Sequence, residues 1–461
     1  MQLIGSDNFS IVIGLGKTGL SCARYLAAKG TPFAVADTRE LPPNLDAFKQ
    51  AFPQVEVRCG ELDSDWLSRA GRLIVSPGVS RNEPAILAAE QAGVDVLGDI
   101  DLFCQQVQHD ETPIVAITGS NAKSSVTTLV GLMAERAGIK AGVGGNLGVP
   151  VLDLLEDQGA QLYVLELSSF QLETTEHLRA AAATVLNVSP DHMDRYADLA
   201  AYHAAKQRIY LGCRHGIYNF DDHLTLPLLP DGVPQTAFRL GAPDLKQFGL
   251  VKHEGRTWLA KGPTLLLACD QMKLRGAHNQ ANALAALALG EAVGLLMEPM
   301  LEAVKEFEGL PHRCQWVREL DGVSYYNDSK GTNVGATLAA IEGLGPELEP
   351  GAKIVLIAGG DGKGAEFDGL AGPMTRFGRA AVLIGRDGPR IESDLGSELN
   401  RVRASSLEEA VGLAQGLAEP GDLVLLSPAC ASFDMFKGFE HRGDCFVEAV
   451  RALNSVAGGG A

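Results

Sequence analysis

The chain has 461 residues, 46% hydrophobic and 21% charged, enough for several buried cores and about three domains at a typical ~150 residues each. Lys and Arg number 39 against 57 Asp and Glu, a formal net charge of -18, which excludes a general nucleic-acid or membrane-surface binder. Any anion site must therefore be built from locally placed cations.

The eight cysteines are scattered without a C-x-x-C pair, which fits free thiols in a reducing cytosol. The first seven residues carry no basic region followed by an apolar core, so no signal peptide is expected. No apolar run reaches the ~18 residues of a membrane span. A cytoplasmic protein without nucleic-acid partner or membrane insertion, acting as a monomer, is expected.

Taken in order, Ser10–Ile13 reads as a strand, Gly14-Leu15-Gly16-Lys17-Thr18-Gly19 as a turn, and the stretch to Lys29 as a helix. Phe33–Ala36 is a second strand ending in Asp37-Thr38-Arg39. This is a G-x-G-x-x-G fingerprint in strand–turn–helix context, with an acidic residue about 20 positions on. By itself it favours a dinucleotide such as NAD, with Asp37 on a ribose. Leu73–Val75 leads into Ser76-Pro77-Gly78, a second loop at the carboxyl edge of the same sheet.

A boundary is expected near 103–112. Beyond it the apolar run Ile114, Val115 and Ile117 reads as a buried strand, broken at Thr118-Gly119 and followed by Ser120-Asn121-Ala122-Lys123-Ser124-Ser125 and a helix. Strand, short turn and helix N-terminus make a phosphate cradle, to which a lysine adds a full charge and a hydroxyl a Mg²⁺ ligand. The common P-loop spacing places glycines where Ile117 and Ala122 stand here.

A glycine-rich turn, Gly142 to Gly148, contains Asn146, and the strand Leu162–Glu166 ends in a carboxylate able to hold Mg²⁺ beside the cradle. The strand Ala183–Val188 leads to Asp191-His192-Met193-Asp194-Arg195, and Lys206 lies on a helix from about 199 to 210. Short strands occupy 213–275, with cores at Phe238–Leu240, Trp258–Ala260 and Leu265–Leu267. An alanine- and leucine-rich helix then opens, with Asn279 as a candidate N-cap. Gly309-Leu310-Pro311 marks a second boundary.

In the last part, Val323–Tyr326, Ile354–Ala358, Val382–Ile384 and Val424–Leu426 read as strands, each ending in a Gly-, Ser- or Lys-bearing loop. The expected fold is α/β in three domains. These are an N-terminal Rossmann-like unit (1–102), a central P-loop ATPase-like sheet (103–309) and a C-terminal Rossmann-like sheet (310–461). Residue types and order point to ATP-driven joining of two other molecules.

Nine ordered motifs carry a resemblance along essentially the whole chain: Thr118 to Ser124, Gly144-Gly145-Asn146, Leu165 to Gln171, Asp191 to Arg195, His278-Asn279, Leu310 to Arg313, Asn327 to Lys330, Gly359 to Lys363 and Leu426 to Ser432. In these the chain resembles the Mur ligase family. The resemblance implies that the first domain holds the UDP end of a muramoyl precursor at Leu15, Gly16, Lys17, Thr18, Asp37, Thr38 and Arg39, with Gly78 nearby, and that Asn146 and His192 also meet this acceptor. ATP would lie on Gly119, Ser120, Asn121, Ala122, Lys123, Ser124 and Ser125, with Asn279, Asn282, Arg313, Asp328 and Lys330 around the nucleotide. Mg²⁺ would sit among Ser124, Glu166, His192 and Lys206.

Lys206 matches the family's carbamylated lysine, and Lys123, His192 and Lys206 are the implied catalytic residues. The resemblance implies D-glutamate as the amino acid and UDP-N-acetylmuramoyl-L-alanine as the acceptor; the Asp-Asn-Pro-Arg string that relatives adding a diamino acid carry in the third domain is absent, and the chain has Asn327-Asp328-Ser329-Lys330. D-glutamate would be received by Thr332, Lys363, Ser432, Phe433 and Phe439. The three domains are expected to close on their ligands.

Three positions depart from the family pattern, and at one of them Ser125 stands where threonine is usual. Ala122 replaces a glycine, so φ below zero is expected there, because a left-handed alanine costs on the order of 1 kcal/mol. Gly331 replaces an alanine beside the amino-acid site, adding backbone freedom. A folylpolyglutamate synthase would lack the N-terminal glycine-fingerprint unit. A dinucleotide-dependent redox protein built on Gly14 to Gly19 would leave Lys123, Glu166 and His192 without a role.

Overall fold

The computed structural model describes residues 9–108, 111–157 and 159–455. The N-terminal stretch inspected for a leader, and residues 109 and 110 of the expected boundary, lie outside the described residues. The chain builds three α/β sheets, as its strand–loop–helix alternation implies.

The first sheet comprises β1 (Ser10–Ile13), β2 (Phe33–Asp37), β3 (Val57–Cys59), β4 (Arg72–Val75) and β5 (Asp95–Leu97), all parallel in the order β3-β2-β1-β4-β5. β1 is buried along its whole length, as an unbroken apolar run in a parallel sheet must be. The chain order reverses between β1 and β4, and an open α/β sheet opens its ligand crevice at such a point.

The central sheet takes β6 (Ile114–Thr118), β7 (Ala141–Gly145), β8 (Leu162–Glu166), β9 (Ala182–Val185), β10 (Gly216–Asn219), β11 (Gln235–Phe238), β12 (Phe248–His253), β13 (Arg256–Lys261) and β14 (Thr264–Ala268), ordered β14-β13-β12-β11-β10-β9-β6-β8-β7. β6 lies between β8 and β9 and is buried throughout. The cradle, the Glu166 carboxylate and the loop after β9 are therefore neighbours. β12 was not evident in the sequence, because Gly249 and the polar end Lys252-His253 break its apolar alternation. β11 ends at Phe238, so Arg239 and Leu240 of the expected strand lie beyond it.

The third sheet holds β15 (Gln315–Leu320), β16 (Val323–Asn327), β17 (Ile354–Gly359), β18 (Gly378–Ile384), β19 (Asn400–Arg403) and β20 (Leu423–Leu426) in the order β15-β16-β20-β17-β18-β19. Only the edge pair β15–β16 is antiparallel. β17 and β20 are adjacent, and an isolated bridge between Asp361 and Ala431 clips their terminal loops together.

The helix Asp99–Val107 runs across the expected 102/103 boundary. Its Ile100, Phe103 and Cys104 belong to one apolar core that joins Val12 and Leu15 of the first unit to Ala116, Val151 and Leu165 of the second. Among the described residues all eight cysteines are free, and no helix is long and apolar enough to cross a membrane.

Candidate functional site

The cradle forms where β6 hands over to the helix Lys123–Arg136. The loop is pinned from the β9 side: Asn187 O accepts from Ser120 N at 2.9 Å, and Asn187 Oδ1 accepts from Asn121 N at 2.8 Å. Asn187 Nδ2 returns a bond to Asn121 O at 3.2 Å. Ala122, the helix N-cap, stands at φ 67°, ψ -6°, in the left-handed region. The expectation of φ below zero is thus corrected. Asn187 fixes the Asn121 N–H and C=O just before Ala122, and Val126 N donates to Ala122 O at 3.1 Å to open the helix, so the backbone takes the conformation glycine would find free, and alanine bears about 1 kcal/mol of strain.

Cations crowd the floor of the cradle. Lys123 Nζ donates to Gly119 O at 2.8 Å and to Ser120 O at 3.0 Å, and Lys206 Nζ donates to the same Gly119 O at 2.8 Å. Lys206 is 1% exposed. Burial, with the Lys123 ammonium beside it, pushes its amine well below the usual lysine range. Burial lowers Lys123 as well, opposed by the nearby Glu166 and Asp191 carboxylates.

Glu166, 2% exposed, accepts from Asn146 Nδ2 at 2.6 Å on Oε1, while Oε2 is buried with no hydrogen-bond partner. An orphaned carboxylate oxygen beside a hydroxyl, Ser124 Oγ, fits a hard cation that takes its other ligands from phosphate and water. Among the described residues no group of three or more His, Cys, Asp or Glu could hold a metal by itself. The expected ligands Ser124, Glu166, His192 and Lys206 line one cleft of about 870 Å³, together with Asn146, Arg313, Lys330 and Thr332. His192, at φ 57°, sits edge-on to Phe170 with centroids 4.8 Å apart. Burial lowers its pKa against the pull of Asp191.

Behind the cradle a cleft of about 910 Å³ is lined by Ala122, Ser125, Asn187, Asn279, Asn282, Arg313, Asp328 and Lys330. This unites the residues expected to hold the nucleotide. Phe238 and Leu186, which no motif had singled out, also line it, as does His278 of the His278-Asn279 motif, to which no role had been given. Asn279 is not the N-cap: Gly276 is, and Asn279 lies in the first helical turn with Nδ2 donating to Arg275 O at 2.8 Å. From the third unit Arg313 donates to Ser124 Oγ at 2.6 Å.

Asp328 accepts from Ser427 Oγ at 2.7 Å and from Cys314 N at 3.1 Å, and burial still lifts its carboxyl to about 6. Burial, with Arg313 and Lys123 nearby, lowers Lys330 to about 8. Gly331 does more than loosen the chain. A Cβ there would stand 2.7 Å from both Asp328 Oδ2 and Ser427 Oγ, so its absence leaves room for the hydrogen bond between them.

The expected amino-acid residues fall on adjoining loops. Lys363 follows β17 and Ser432 follows β20, while the Phe439 ring lies 3.9 Å from Lys330 Nζ. Lys363 Nζ reaches across to Asp191 Oδ1 at 2.7 Å, and Asn333 Nδ2 donates to Asp191 Oδ2 at 3.0 Å. Burial would raise the Asp191 carboxyl, but Lys363 and its other partners hold it below the usual range. Thr332 and Lys363 share a cleft of about 1040 Å³ with Asp191 and His192. Ser432 is buried, and Phe433 is 78% exposed. Asn333, which bridges Asn121 and Asp191, was missed. Its signal was only a place in the polar loop after β16.

In the first unit Asp37 is 1% exposed and fully committed. Oδ2 accepts from Leu15 N at 2.6 Å and from Arg39 at 2.7 Å, and Oδ1 accepts from Arg39 N and Nε. These bonds outweigh burial and keep the carboxyl ionised below its usual range. Gly14, Ser76 and Gly19 close the turn: Ser76 Oγ donates to Gly14 O at 3.0 Å, and a Cβ on Gly19 would stand 1.8 Å from that oxygen. Gly16, Lys17, Thr18, Thr38 and Gly78 lie at the rim of this crevice, with Lys17, Thr38 and Gly78 exposed.

A strand–loop–helix anion cradle facing a buried carboxylate, roofed by cations from a third sheet, defines a three-unit α/β protein built around a nucleotide phosphate. Family models describe it unit by unit: "Mur ligase MurD-like, N-terminal domain" matches 8–98, "Mur ligase middle domain" 117–290 and "Mur ligase, glutamate ligase domain" 312–430. The chain belongs to the Mur ligase family. It is 58% identical over 453 residues to the UDP-N-acetylmuramoylalanine--D-glutamate ligase of Pseudomonas fluorescens, covering 98% of this chain and 100% of that one. The protein of the same name from Pseudomonas aeruginosa is 59% identical with the same coverage.

Among solved structures, UDP-N-acetylmuramate-alanine ligase MurC from Thermotoga maritima aligns with a TM-score of 0.60 at 18% identity, covering 96% of this chain and 99% of that one. MurF ligase from Thermotoga maritima in complex with ADP aligns at 0.59 and 16%, covering 98% of each. Both likenesses speak for the fold alone.

Proposed function

We propose that this chain is an ATP-dependent amide ligase that joins D-glutamate to UDP-N-acetylmuramoyl-L-alanine, a cytoplasmic step of peptidoglycan precursor synthesis, with units 1–102, 103–309 and 310–461 as its domains. One observation carries the reading. Lys123, Ser124, Glu166, His192 and Lys206 of the central sheet line a single cleft with Arg313, Lys330 and Thr332 of the third, so phosphoryl transfer and amine attack can share one space. The full-length relatives at 58–59% identity, each named for this ligation, support it.

A carboxylate is a poor acyl donor, so the alanyl carboxylate first takes the γ-phosphoryl group of ATP to become an acyl phosphate. Gly119 to Ser125 cradle the phosphates, Lys123 and Lys330 bring charge to the transferring group, and Asn279, Asn282, Arg313 and Asp328 hold the nucleoside end. Ser124 and Glu166 would hold Mg²⁺, which when bound would supply neutralisation of charge on the transferring phosphoryl group. Burial favours the uncharged amine of Lys206, the form that would take up CO₂ with loss of a proton, and the carbamate anion would complement that cation. His192 and Asn146 position the acceptor carboxylate, while Leu15 to Thr18, Asp37 to Arg39 and Gly78 seat its UDP end.

Thr332, Lys363, Ser432, Phe433 and Phe439 receive D-glutamate. Its amine then attacks the acyl phosphate through a tetrahedral intermediate that expels phosphate. Each preorganised donor on developing charge is worth about 3–4 kcal/mol of barrier.

The test is phosphate release from purified monomeric protein with ATP, UDP-N-acetylmuramoyl-L-alanine and either D- or L-glutamate. Turnover with the D form alone is expected. Equal turnover with both, or none, overturns the assignment.

A further inference from the structure

Arg195 has no role in the reaction as described, yet it joins the first unit to the wall of the phosphate cleft. Its NH1 donates to Pro77 O at 2.8 Å, in the Ser76-Pro77-Gly78 loop beside the β1 turn. Its NH2 pairs with Glu173 Oε2 at 2.6 Å, and Tyr196 OH donates to the other oxygen of Glu173. The guanidinium lies 4.0 Å over the Phe170 ring, which packs edge-on against the His192 imidazole. Arg195 N also donates to His192 O at 2.9 Å, closing the turn that places His192.

One side chain, 18% exposed, therefore touches the loop where the UDP-linked acceptor is expected to enter and the ring that sets the face of His192. Arg81, from the first unit, reinforces the joint by donating to Glu173 O at 3.0 Å. Only a planar fork with donors on separate nitrogens can serve Pro77 O and Glu173 while its face covers an aromatic ring. A lysine at the same place has a single donor centre and no face.

We propose that Arg195 is a positioning residue that sets the Pro77–Gly78 lip of the acceptor site in register with His192, so that seating of the UDP-linked acceptor is coupled to placement of its carboxylate in the phosphate cleft. This rests on the proposed ligase reading. Its ligand chemistry is an anionic UDP-sugar bearing a carboxylate at the far end. Nothing in the arrangement reaches the nucleotide cleft, so ATP binding is left alone.

Steady-state phosphate release is measured for the full-length protein, Arg195→Met and Arg195→Lys, varying acceptor and ATP separately, with melting temperatures taken alongside. Methionine keeps the packing on Phe170 and loses both bonds. Lysine keeps the charge beside Glu173 and cannot also serve Pro77 O. The acceptor KM is expected to rise about tenfold in both variants, equivalent to about 1.4 kcal/mol, with kcat changed less than threefold and the ATP KM within twofold.

An acceptor KM within twofold of the unmodified protein overturns the proposal. So does a parallel rise in both KM values with a falling melting temperature, because that is what a merely structural residue gives. If Arg195→Met fails to fold, Arg195→Lys decides alone, supported by Glu173→Gln, for which a smaller rise of about threefold in acceptor KM is expected. Absence of turnover in the unmodified protein removes the ligase reading and this proposal together. Turnover there with an unmoved acceptor KM in the variants removes only the role of Arg195.

Discussion

The central unit meets its two neighbours by different physics. Towards the first unit the boundary is apolar and continuous: Val12, Leu15, Phe103, Val151 and Tyr163 share one core, and the Phe103 and Tyr163 rings meet edge-on at 4.9 Å. Towards the third unit no fully buried core is shared among the described residues: the two apolar clusters of that unit contain only its own side chains, and the partly buried Leu310 packs on the central core. Beside the packing of the helix Val334–Leu344 on the helix Ala277–Ala292, contact there is made by polar pairs, each with at least one member from the expected ligand sites: Asn121 with Asn333, Ser124 with Arg313, and Lys363 with Asp191. Apolar burial has no substitute in water, whereas hydrogen bonds and ion pairs exchange readily for water or ligand. On this contrast the first two units are expected to move as one body and the third to move against them. The segment joining it holds left-handed residues at Gly309, His312 and Cys314.

The largest test of this contrast is Phe103→Ala. Removing a fully buried aromatic from the shared core is expected to cost about 3–5 kcal/mol, with the first two units melting in one calorimetric transition. A separately melting first unit would break the comparison. Next, Lys363→Met is expected to leave the melting temperature nearly unchanged, because it cuts an exchangeable contact. Its kcat/KM for D-glutamate should fall on the order of a hundredfold through loss of a charged contact. A stability loss matching that of Phe103→Ala would place this interface in the same class as the first.

The third test uses pH. With Lys330 held at about 8 in the fold, folding favours its neutral form. The destabilisation this group causes is complete below about 8 and fades as pH rises towards its ordinary value near 10.5. Anion binding has the opposite dependence, because it needs the cation. The ATP KM is expected to rise as pH passes about 8, and Lys330→Arg, always charged, should flatten that rise.

The smallest effect is expected at Ala122→Gly. Relief of the left-handed strain, about 1 kcal/mol, is offset by ~0.4–1 kcal/mol of added unfolded-chain entropy. Stability by denaturant titration should move by less than about 1 kcal/mol, with turnover retained.

Much of this was legible in the sequence because it depends on local order. Unbroken apolar runs marked β1, β6 and β8, and the glycines and charges that followed them marked the loops at their carboxyl ends. What escaped depends on partners far along the chain. Ala122 is left-handed because Asn187, some sixty residues later, holds Asn121 on both sides, and no local propensity encodes that. Gly331 was read as freedom, whereas space for the Ser427–Asp328 bond is what it supplies. Lys206 was marked by the family resemblance and by nothing in its own helical context, and its burial against Gly119 O is set by the fold. Asn333 was visible as one polar residue among several, and only the meeting of two units gave it Asn121 and Asp191 as partners.

The sharing of Gly119 O by two lysines has a practical consequence. Two lysine amines converge on one backbone oxygen at the floor of the cradle, so an oxyanion seated there meets two N–H donor groups at once. Small tetrahedral anions such as inorganic phosphate, vanadate or a sulfonate-bearing fragment are expected to raise the melting temperature in a thermal-shift screen. Inhibitor discovery against this protein can begin with fragments of a few heavy atoms, grown from the cradle outwards into the nucleotide cleft.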